Sequence, residues 1–382
     1  MVLTRSFQCP TRVFSKAGYL QTLTRVIGDS RWALVTSRGW ATRGAVDALR
    51  DALGAPAAVI DAVPENPKLS DLQNLTPSLP DVDAVVALGG GSVIDCAKGI
   101  VAYRAINMDE DGLIAHLKDG AALDFKGEKP VPIHAVPTTS GTGSEVTPWG
   151  TIWGDDQLKF SVKDDLLYPA TAILDPSLCA SMPDWLTLSS GLDAMSHAME
   201  AVWNNNHTPF SDEMARVAVE ELWTALPTVL AVPHDLQARA RVQIAASVAG
   251  LAMGTTNTAL AHSISYPFTA KHGMPHGFAC SFTLPLVAAF NMQEDPQRLA
   301  PLARAISCPI EEIPARLQNW MLGLGIAAEL ERHVSPEDAE AFGDSLITRA
   351  RAANNLRPVD GPAARALARE SLESFAGSRE KS

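Results

Sequence analysis

The feature that most constrains the fold of this chain is a change of pattern near residue 183. Up to that point, short β-branched runs alternate with helical stretches, which predicts a mostly parallel sheet with helices on both faces. The predicted strands are RWALVTS (31–37), AAVID (57–61), DAVVALGG (83–90), VPIHAVPT (131–138) and TAILDP (171–176). The first part of the chain is therefore predicted to be an α/β domain.

Beyond residue 183 the strands stop and helical periodicity takes over. Helices are predicted over Asp193–Trp203, Ser211–Leu226, Leu236–Met253, Glu312–Leu324, Pro336–Ala352 and Ala363–Phe375, and another helix is predicted to end at Pro267. A chain of 382 residues is too long for one comfortable core. We therefore predict two domains, an α/β domain over residues 1–184 and an all-α domain over residues 185–382.

Charge and composition limit the kinds of partner. The net charge of −12 argues against nucleic acid or an anionic membrane as the main partner, because either would need a basic face. A small anionic substrate stays possible, since a few local cations override a negative total. The N-terminal stretch MVLTRSFQCPTRVF has no long apolar run, and the five cysteines are scattered without a CxxC pair. We therefore expect a cytoplasmic protein with reduced thiols.

The stretch ALGGGSVIDCAKGI (87–100) is typical of a phosphate-binding turn. A hydrophobic strand leads into three glycines and then into a helix. Glycines let the backbone approach a pyrophosphate, and the helix N-terminus supplies free N–H groups and a positive dipole. The sequence lacks the G-x-G-x-x-G pattern, so a tight turn without a ligand is the alternative interpretation.

The stretch PTTSGTGSEVT (137–147) adds polar groups after a further predicted strand. Its hydroxyl side chains include those of Thr138, Thr139, Thr142 and Ser144. They can donate to phosphate or ribose oxygens. A helix cap at Ser144 is the alternative for one of them, but not for all four. Asn66 in PENP (64–67) is in a position to reach a ribose, although a Pro-flanked Asn is usually only a turn.

The stretch GLDAMSHAME (191–200) places Asp193 and His197 one helical turn apart, so both side chains share a helix face. Ser189 or Ser190 is the predicted N-cap of that helix. His262 and His276 lie farther along the chain. Three imidazoles and a carboxylate, with no thiolate among them, suit Fe²⁺ or Zn²⁺. The alternative is that each histidine is an ordinary partly buried residue and that Asp193 only interacts with the helix dipole.

Taken together, these motifs resemble those of the iron-containing (group III) alcohol dehydrogenases. The resemblance rests on GGGSVIDCAK, PTTSGTGSEVT, GLDAMSHAMEA, AHSISYP and PHG, in the same order and spacing over about residues 10 to 300. It implies a Rossmann-like domain that binds NADPH or NADH, followed by a helical domain with one divalent metal, the dehydroquinate synthase-like architecture. It also implies a homodimer.

The resemblance also assigns residues to these sites. The implied metal ligands are Asp193, His197, His262 and His276. The implied cofactor-binding residues are Ser37, Arg38, Asn66, Gly90, Gly91, Ser92, Val93, Thr138, Thr139, Thr142, Ser144, Lys159 and Leu178.

Two departures from the family pattern affect the chemistry. Members that use NADH often carry an Asp at the ribose, where this chain has Ser37 and Arg38. The missing carboxylate favours acceptance of NADPH, and Arg38 either pairs with its 2′-phosphate or is simply solvated. Many members have a proton-relaying His four residues after the third ligand, where this chain has Tyr266. Tyr266, His272 and a water molecule remain as alternative relays.

Local variants of the motifs are closer to one branch of the family, the phosphonoacetaldehyde reductases (hydroxyethylphosphonate dehydrogenases) of phosphonate biosynthesis. This resemblance predicts NAD(P)H-linked reduction of phosphonoacetaldehyde to 2-hydroxyethylphosphonate. The candidate cations for the phosphonate are Lys271, with His272 beside it, and Arg357; ordinary solvation is their alternative. Another short aldehyde, sulfonated or uncharged, is the alternative substrate. A nucleotide-binding regulatory relative is the non-enzymatic alternative.

Overall fold

The computed structural model describes residues 7–154 and 158–377. The chain forms two compact units. The α/β unit comprises Cys9–Thr139 and Gly143–Cys179, and the helical unit comprises the chain from Ala180 onward together with Ser140–Thr142 and the N-terminal segment. The outer ends of the two predicted domains, residues 1–6 and 378–382, lie outside the described residues. The predicted domain boundary after residue 184 stays a proposal.

The α/β unit is built on a six-stranded parallel sheet in the order β1-β8-β5-β4-β2-β3. Its strands are β1 (Arg12–Ser15), β2 (Trp32–Thr36), β3 (Ala58–Ile60), β4 (Ala84–Gly89), β5 (Ile133–Pro137) and β8 (Thr171–Leu174). An antiparallel pair, β6 (Trp149–Trp153) and β7 (Lys159–Lys163), forms a separate small sheet. The parallel sheet confirms the fold class predicted for this part of the chain.

Helices cover both faces of the parallel sheet. They are α1 (Tyr19–Ile27), α2 (Arg38–Thr42), α3 (Ala45–Leu53), α4 (Leu69–Leu75), α5 (Gly91–Ala105) and α6 (Glu110–Asp119). Short 3₁₀ helices span Thr76–Ser78, Ser144–Val146, Asp165–Leu167 and Pro176–Cys179. Val85 and Ala87 of β4 belong to one apolar core, whereas Val86 and Leu88 belong to another. Side chains alternate across a strand, so a fully buried strand contributes to a core on each side.

The helical unit confirms the predicted all-α C-terminal part. Its helices are α7 (Asp184–Val202), α8 (Pro209–Ala231), α9 (Leu236–Thr256), α10 (Leu260–His272), α11 (His276–Ser281), α12 (Leu284–Met292), α13 (Ala300–Ile306), α14 (Ile313–Gly323), α15 (Ile326–Glu331), α16 (Pro336–Ala341), α17 (Arg349–Ala352) and α18 (Gly361–Ala376). Short 3₁₀ helices span Pro296–Leu299, Ile310–Glu312 and Gly343–Leu346. Helices α7, α8 and α9 pack against one another around buried Ala, Leu and Val side chains.

Several predicted helix ends are wrong. The helix that carries Asp193 begins at Asp184 with Pro183 as its N-cap, so Ser189 and Ser190 lie inside it and do not cap it. Pro267 lies within α10 and does not end it. The single helix predicted over 336–352 is broken into shorter pieces around Gly343, whose φ of 55° lies outside the helical region.

The length and hydropathy of a helix decide whether it can cross a membrane. No single described helix is both long and apolar enough. Taken together, α9 and α10 meet the length and composition criteria, but the two helices are bent by 108° at their junction. Many of their side chains are buried in the core of the helical unit.

Candidate metal centre and nucleotide site

Helix α7 carries three ionisable side chains on one face. Asp193, His197 and Glu200 are separated by four and then three residues, the spacing of neighbours along one side of a helix. Nε2 of His197 lies 3.6 Å from Oδ1 of Asp193, and both side chains are 6% exposed. The helix therefore presents an acid and an imidazole to the same point, as their spacing in the sequence predicts.

Helices α10 and α11 bring the other two predicted ligands to Asp193. Nε2 of His262 lies 3.6 Å from Oδ1 of Asp193, and Nε2 of His276 lies 3.9 Å from the same oxygen. The His262 and His197 rings stack with centroids 4.7 Å apart. The structure thus brings together all four side chains predicted to bind metal. His276 is the most accessible of them, with 28% of its side chain exposed.

Glu200 fixes the orientation of His262. One carboxylate oxygen of this buried residue lies 2.7 Å from Nδ1 of His262 and also accepts from the backbone N–H of Ala259. The other oxygen accepts from the backbone N–H of His262. Burial would lower the pKa of His262, but the charge of Glu200 raises it well above its usual value. A histidine tied by Nδ1 to a carboxylate presents Nε2 as its free coordinating atom.

The donor set fits a divalent metal ion. Among the described residues, Nε2 of His262 is buried without a hydrogen-bond partner, an arrangement that is costly unless a ligand satisfies it. Burial would raise the pKa of Asp193, but His197 and the other two imidazoles lower it, so the carboxylate is ionised. Two buried carboxylates beside three imidazoles favour a positive charge at this point. Ions of the Fe²⁺ and Zn²⁺ type accept such nitrogen and oxygen donors.

The predicted absence of a thiol from this site is wrong. Sγ of Cys280 lies 3.4 Å from Oδ1 of Asp193 and is fully buried. Donor atoms of Asp193, His262, His276 and Cys280 all lie within 4.8 Å of one another. Burial raises the pKa of Cys280 to about 11, so the thiol keeps its proton at neutral pH while no metal is bound. Its position four residues after His276 is the signal in the sequence that would have revealed it.

Gly277 allows α11 to approach α7 closely enough to complete the cluster. A Cβ atom at this position would lie 1.8 Å from the backbone oxygen of Ser189. Only glycine leaves room for that contact, which places His276 and Cys280 next to Asp193. The glycine of the PHG motif is therefore a packing requirement of the site.

In the α/β unit, several predicted nucleotide-binding residues lie at the carboxyl end of the parallel sheet. The chain leaves β2 toward β3 on one side, whereas β4 pairs with the opposite side of β2 and leads to β5. In sheets with such a reversal of strand order, ligands usually bind at the carboxyl ends of the two strands where it occurs, which are β2 and β4 here. Ser37 and Arg38 follow β2, and the glycine turn follows β4.

The N-terminus of α5 suits a pyrophosphate. Gly90 is the N-cap and brings no side chain, which leaves first-turn N–H groups such as those of Gly91 and Ser92 available to phosphate oxygens. Val93 completes that first turn, and its N–H bonds to the Gly90 oxygen. A Cβ atom at Gly90 would lie 3.2 Å from the side chain of Thr139, so the turn is closely packed. The backbone N–H of Asn66 donates to the Ser92 hydroxyl at 3.2 Å.

Hydrogen bonds hold the loop after β5 in place. The Thr138 hydroxyl accepts from the indole N–H of Trp40 at 3.0 Å. The Ser144 hydroxyl donates to Asp95 and accepts from Lys98, whose ammonium also bonds three backbone oxygens of the same loop. This anchoring by the half-buried Asp95 and the buried Lys98 supports the predicted cofactor loop. It was not anticipated from the sequence, because nothing in a helical Asp-x-x-Lys spacing distinguishes a loop anchor from a surface ion pair.

The remaining predicted cofactor residues have different surroundings. Lys159 begins β7, and its charge lowers the pKa of Asp95, although burial is the dominant influence and raises it. Leu178 is buried in the core that also contains Leu88. Thr142 belongs to the helical unit, next to Gly141, where a Cβ atom would lie 2.6 Å from the Ser190 oxygen. Contact of these residues with a cofactor stays a prediction.

Family comparison agrees with this geometry. Residues 10–176 match the model of the iron-containing alcohol dehydrogenases, and residues 187–371 match the C-terminal domain of the same family. The chain is an iron-containing alcohol dehydrogenase. The family assignment made from the motifs is therefore confirmed, and with it an alcohol or aldehyde oxidoreductase that uses NAD(H) and iron or a similar metal.

Individual relatives of this iron-containing alcohol dehydrogenase differ in substrate. An alcohol dehydrogenase of Thermococcus barophilus is 33% identical over 382 residues, covering 93% of this chain and 95% of its own. A choline dehydrogenase of Bacillus subtilis is 29% identical, covering 93% and 92%. The sulfoacetaldehyde reductase of Bifidobacterium kashiwanohense, solved with NAD⁺, is 26% identical with a TM-score of 0.86, covering 97% and 99%. Choline is a cation and sulfoacetaldehyde is an anion, so membership of the family alone does not fix the charge of the substrate.

The predicted proton relay and anion-binding residues of this alcohol dehydrogenase lie on α10 and beyond it. Tyr266 follows His262 by one helical turn and shares its side of α10. Lys271 follows His262 by nine residues, two and a half turns at about 3.6 residues per turn, and so lies on the opposite side. The Lys271 ammonium and the His272 ring both contact Phe342.

Arg357 contacts a different helix. Its guanidinium lies over the ring of Phe290 in α12, 4.1 Å from the centroid. It also donates to Oε1 of Gln293, the C-cap of the same helix. Neither Arg357 nor Lys271 contacts a metal-binding side chain among the described residues. Their role in binding a substrate anion stays a prediction.

Proposed function

We propose that the protein reduces a small anionic aldehyde, phosphonoacetaldehyde, to 2-hydroxyethylphosphonate with NAD(P)H as part of phosphonate metabolism. The observation that supports carbonyl reduction is the convergence of Asp193, His197, His262 and His276, with the buried Nε2 of His262 available to a ligand. A chain with only a regulatory role would have no use for such a set. The fully buried Glu200 behind His262 points to the same conclusion.

In this proposal each group of residues has a defined task. A bound divalent ion supplies Lewis-acid polarisation of the carbonyl, and a bound nicotinamide supplies hydride. Asp193, His197, His262 and His276 hold the ion, and Glu200 keeps His262 in the coordinating tautomer. The N-terminus of α5 binds the cofactor pyrophosphate.

Tyr266 is the proposed proton donor. Hydride addition to an aldehyde leaves a negative oxygen, which needs one proton to become the alcohol. The half-buried Tyr266 shares the side of α10 that carries His262. His272 is ten residues from His262, and its ring packs against Phe268 and Phe342. Position on the helix therefore favours Tyr266 over His272.

Recognition of the anion requires a cation near the metal centre. The similarity to a sulfoacetaldehyde reductase supports an anionic aldehyde and makes sulfoacetaldehyde the second candidate substrate. Besides Lys271 and Arg357, the structure offers Arg351 of α17, a helix that packs against α10. Arg351 is half-buried and forms no ion pair among the described residues. Its segment is tied to α10 beside His262, because the Thr348 N–H donates to the Ser263 hydroxyl at 2.7 Å.

We expect neutralisation of the substrate-binding cation to change specificity. Arg351→Gln should lower kcat/KM for phosphonoacetaldehyde about ten- to a hundredfold, since one charge-assisted hydrogen bond is worth about 1.5–3 kcal/mol. Propanal, which has no anion, should react as fast as with the unchanged enzyme. Steady-state kinetics with phosphonoacetaldehyde, sulfoacetaldehyde and propanal measure the effect.

Lys271→Gln and Arg357→Gln complete that series, because Lys271 and Arg357 are the other two candidate anion partners. Equal losses on charged and neutral aldehydes would show that the altered residue is structural. If the unchanged enzyme did not prefer an anionic aldehyde over propanal, the phosphonate and sulfonate proposals would both fail, and only the general metal-dependent alcohol dehydrogenase would remain.

We propose that Ser37 and Arg38 allow NADPH to bind. Ser37 precedes α2 at the carboxyl end of β2, and Arg38 is exposed at the first residue of that helix. An Asp at position 37 would repel the 2′-phosphate. Ser37→Asp should therefore shift the kcat/KM ratio toward NADH by at least about tenfold. Ser37→Asn is the matched control. Asparagine has nearly the same shape as aspartate and also caps helices, but it carries no charge. Equal ratios in both variants would place the ribose elsewhere.

The proposal extends to the state of the protein in the cell. We propose a cytoplasmic homodimer that carries Fe²⁺ or Zn²⁺. The net charge of −12 supports a small-molecule substrate, with neither nucleic acid nor an anionic membrane as partner. Sedimentation of the purified enzyme tests the homodimer, and metal analysis of the same sample identifies the bound ion.

A further inference from the structure

Cys280 belongs to the donor cluster but has no part in the four-ligand set proposed above. Its thiol is fully buried in the helical unit, 3.4 Å from Oδ1 of Asp193 and 3.5 Å from the Gly277 backbone oxygen. Like His276, one turn earlier, it is carried by α11. A second, independent sign of a ligand at this point is Nε2 of His262, which is buried and lacks a hydrogen-bond partner among the described residues.

The spacing of these atoms matches that of ligands around one ion. With a metal–sulfur bond of about 2.3 Å and a metal–oxygen bond of about 2.0 Å, neighbouring sulfur and oxygen ligands of a five-coordinate ion lie about 3.0 to 3.7 Å apart, for bond angles of about 90° to 120°. The observed separation of Cys280 Sγ from Asp193 Oδ1 is 3.4 Å. Nε2 of His262 is 3.6 Å from the same oxygen, and all donor atoms of Asp193, His262, His276 and Cys280 are within 4.8 Å of one another.

We propose that Cys280 is a further metal ligand and that its sulfur biases the site toward Zn²⁺ over Fe²⁺. This inference rests on the metal site of the proposed function. Coordination breaks the S–H bond, the proton leaves to solvent, and the thiolate donates an electron pair to the ion, with no change of oxidation state. Thiolate is a softer donor than imidazole or carboxylate and is well suited to zinc.

Cobalt(II) is the probe for this contact. It takes the same kinds of ligand as zinc, and coordination by a thiolate gives a charge-transfer absorption in the near ultraviolet. The unchanged enzyme, stripped with a chelator and reloaded with one equivalent of Co²⁺, should show that absorption. Cys280→Ser should lose it while still binding cobalt through the other ligands. Cys308→Ser is the matched control, because Cys308 is a half-exposed thiol of the same unit outside the cluster, and it should keep the absorption.

Metal competition gives a second readout. Cys280→Ser should weaken Zn²⁺ binding by at least about tenfold, with a smaller change for Fe²⁺, so that the preference for zinc falls. Absence of the absorption from cobalt-loaded unchanged enzyme, or its persistence in Cys280→Ser, would overturn the role of Cys280 while leaving the four-ligand site in place. Failure of the unchanged enzyme to bind one equivalent of Co²⁺ would instead overturn the metal site itself, and with it the proposed function.

Discussion

Replacing Asp193 with alanine should remove the bound metal and lower kcat for aldehyde reduction at least about a thousandfold, because Lewis-acid polarisation of a carbonyl is worth several kcal/mol. Oδ1 of Asp193 lies within 3.9 Å of Nε2 in all three predicted histidine ligands. NADPH affinity should change little, since the predicted nucleotide-binding residues other than Thr142 belong to the α/β unit. Metal analysis, kinetics and NADPH titration of one preparation measure all three effects.

Two further variants serve as comparisons for Asp193→Ala. Asp193→Asn keeps the shape and one oxygen but removes the charge, so it should bind metal weakly and show an intermediate loss of kcat. His262→Ala should behave like Asp193→Ala and leave Glu200 buried without its imidazole partner. Retention of one metal equivalent and near-normal kcat in either alanine variant would show that the ligand assignment is wrong.

Gly277→Ala should disrupt the site from within the protein core. The added Cβ would lie 1.8 Å from the Ser189 oxygen, where ordinary contact begins at 3.4 Å, and the atom it meets is backbone. Overpacking of this kind costs about 1–3 kcal/mol and sometimes more. Movement of α11 away from α7 would carry His276 and Cys280 with it. We therefore expect a lower thermal midpoint together with weaker metal binding, measured by calorimetry and by zinc titration.

The matched control for that variant is Gly323→Ala in α14. A Cβ at Gly323 meets nothing within 4 Å, and alanine favours the helix by about 0.5–1 kcal/mol. This variant should leave metal affinity unchanged and keep or raise the thermal midpoint. If Gly277→Ala were as stable and bound zinc as tightly as Gly323→Ala, α11 would have room that the structure does not show.

The order of strands and helices could be predicted from the sequence, whereas several helix ends could not. Alternating buried strands and helices identified the parallel sheet because both faces of such a sheet are covered. The prediction that a helix ends at Pro267 is wrong, because that proline lies inside α10, and Pro227 likewise lies inside α8, beyond the helix end predicted at Leu226. Tertiary packing stabilises both helices beyond the local cost of proline. Gly191 also lies inside a helix, α7. Tertiary packing requires a glycine there, since the Leu226 side chain occupies the space that a side chain at position 191 would need.

The metal site, too, could be predicted from the sequence only in part. Asp193 and His197 were paired by their spacing on one helix, which is local information. Glu200 was missed although it lies on the same helix face, because its significance comes from contacts with Ala259 and His262, about sixty residues away in the chain. Cys280 was missed because its spacing of four residues from His276 indicates only a shared helix face, and the fold is needed to bring its sulfur to Asp193.

The uneven exposure of the metal-binding side chains has a consequence for how the enzyme acquires its ion. His197, His262 and Asp193 are at most 6% exposed, whereas His276 is 28% exposed, so His276 is the metal-binding side chain most open to solvent. Exchange of the ion should therefore follow the opening of the short helix α11 and depend little on unfolding of α7 or α10. We expect the metal content of an isolated sample to reflect the last medium it equilibrated with, so that overexpressed protein is readily mismetallated.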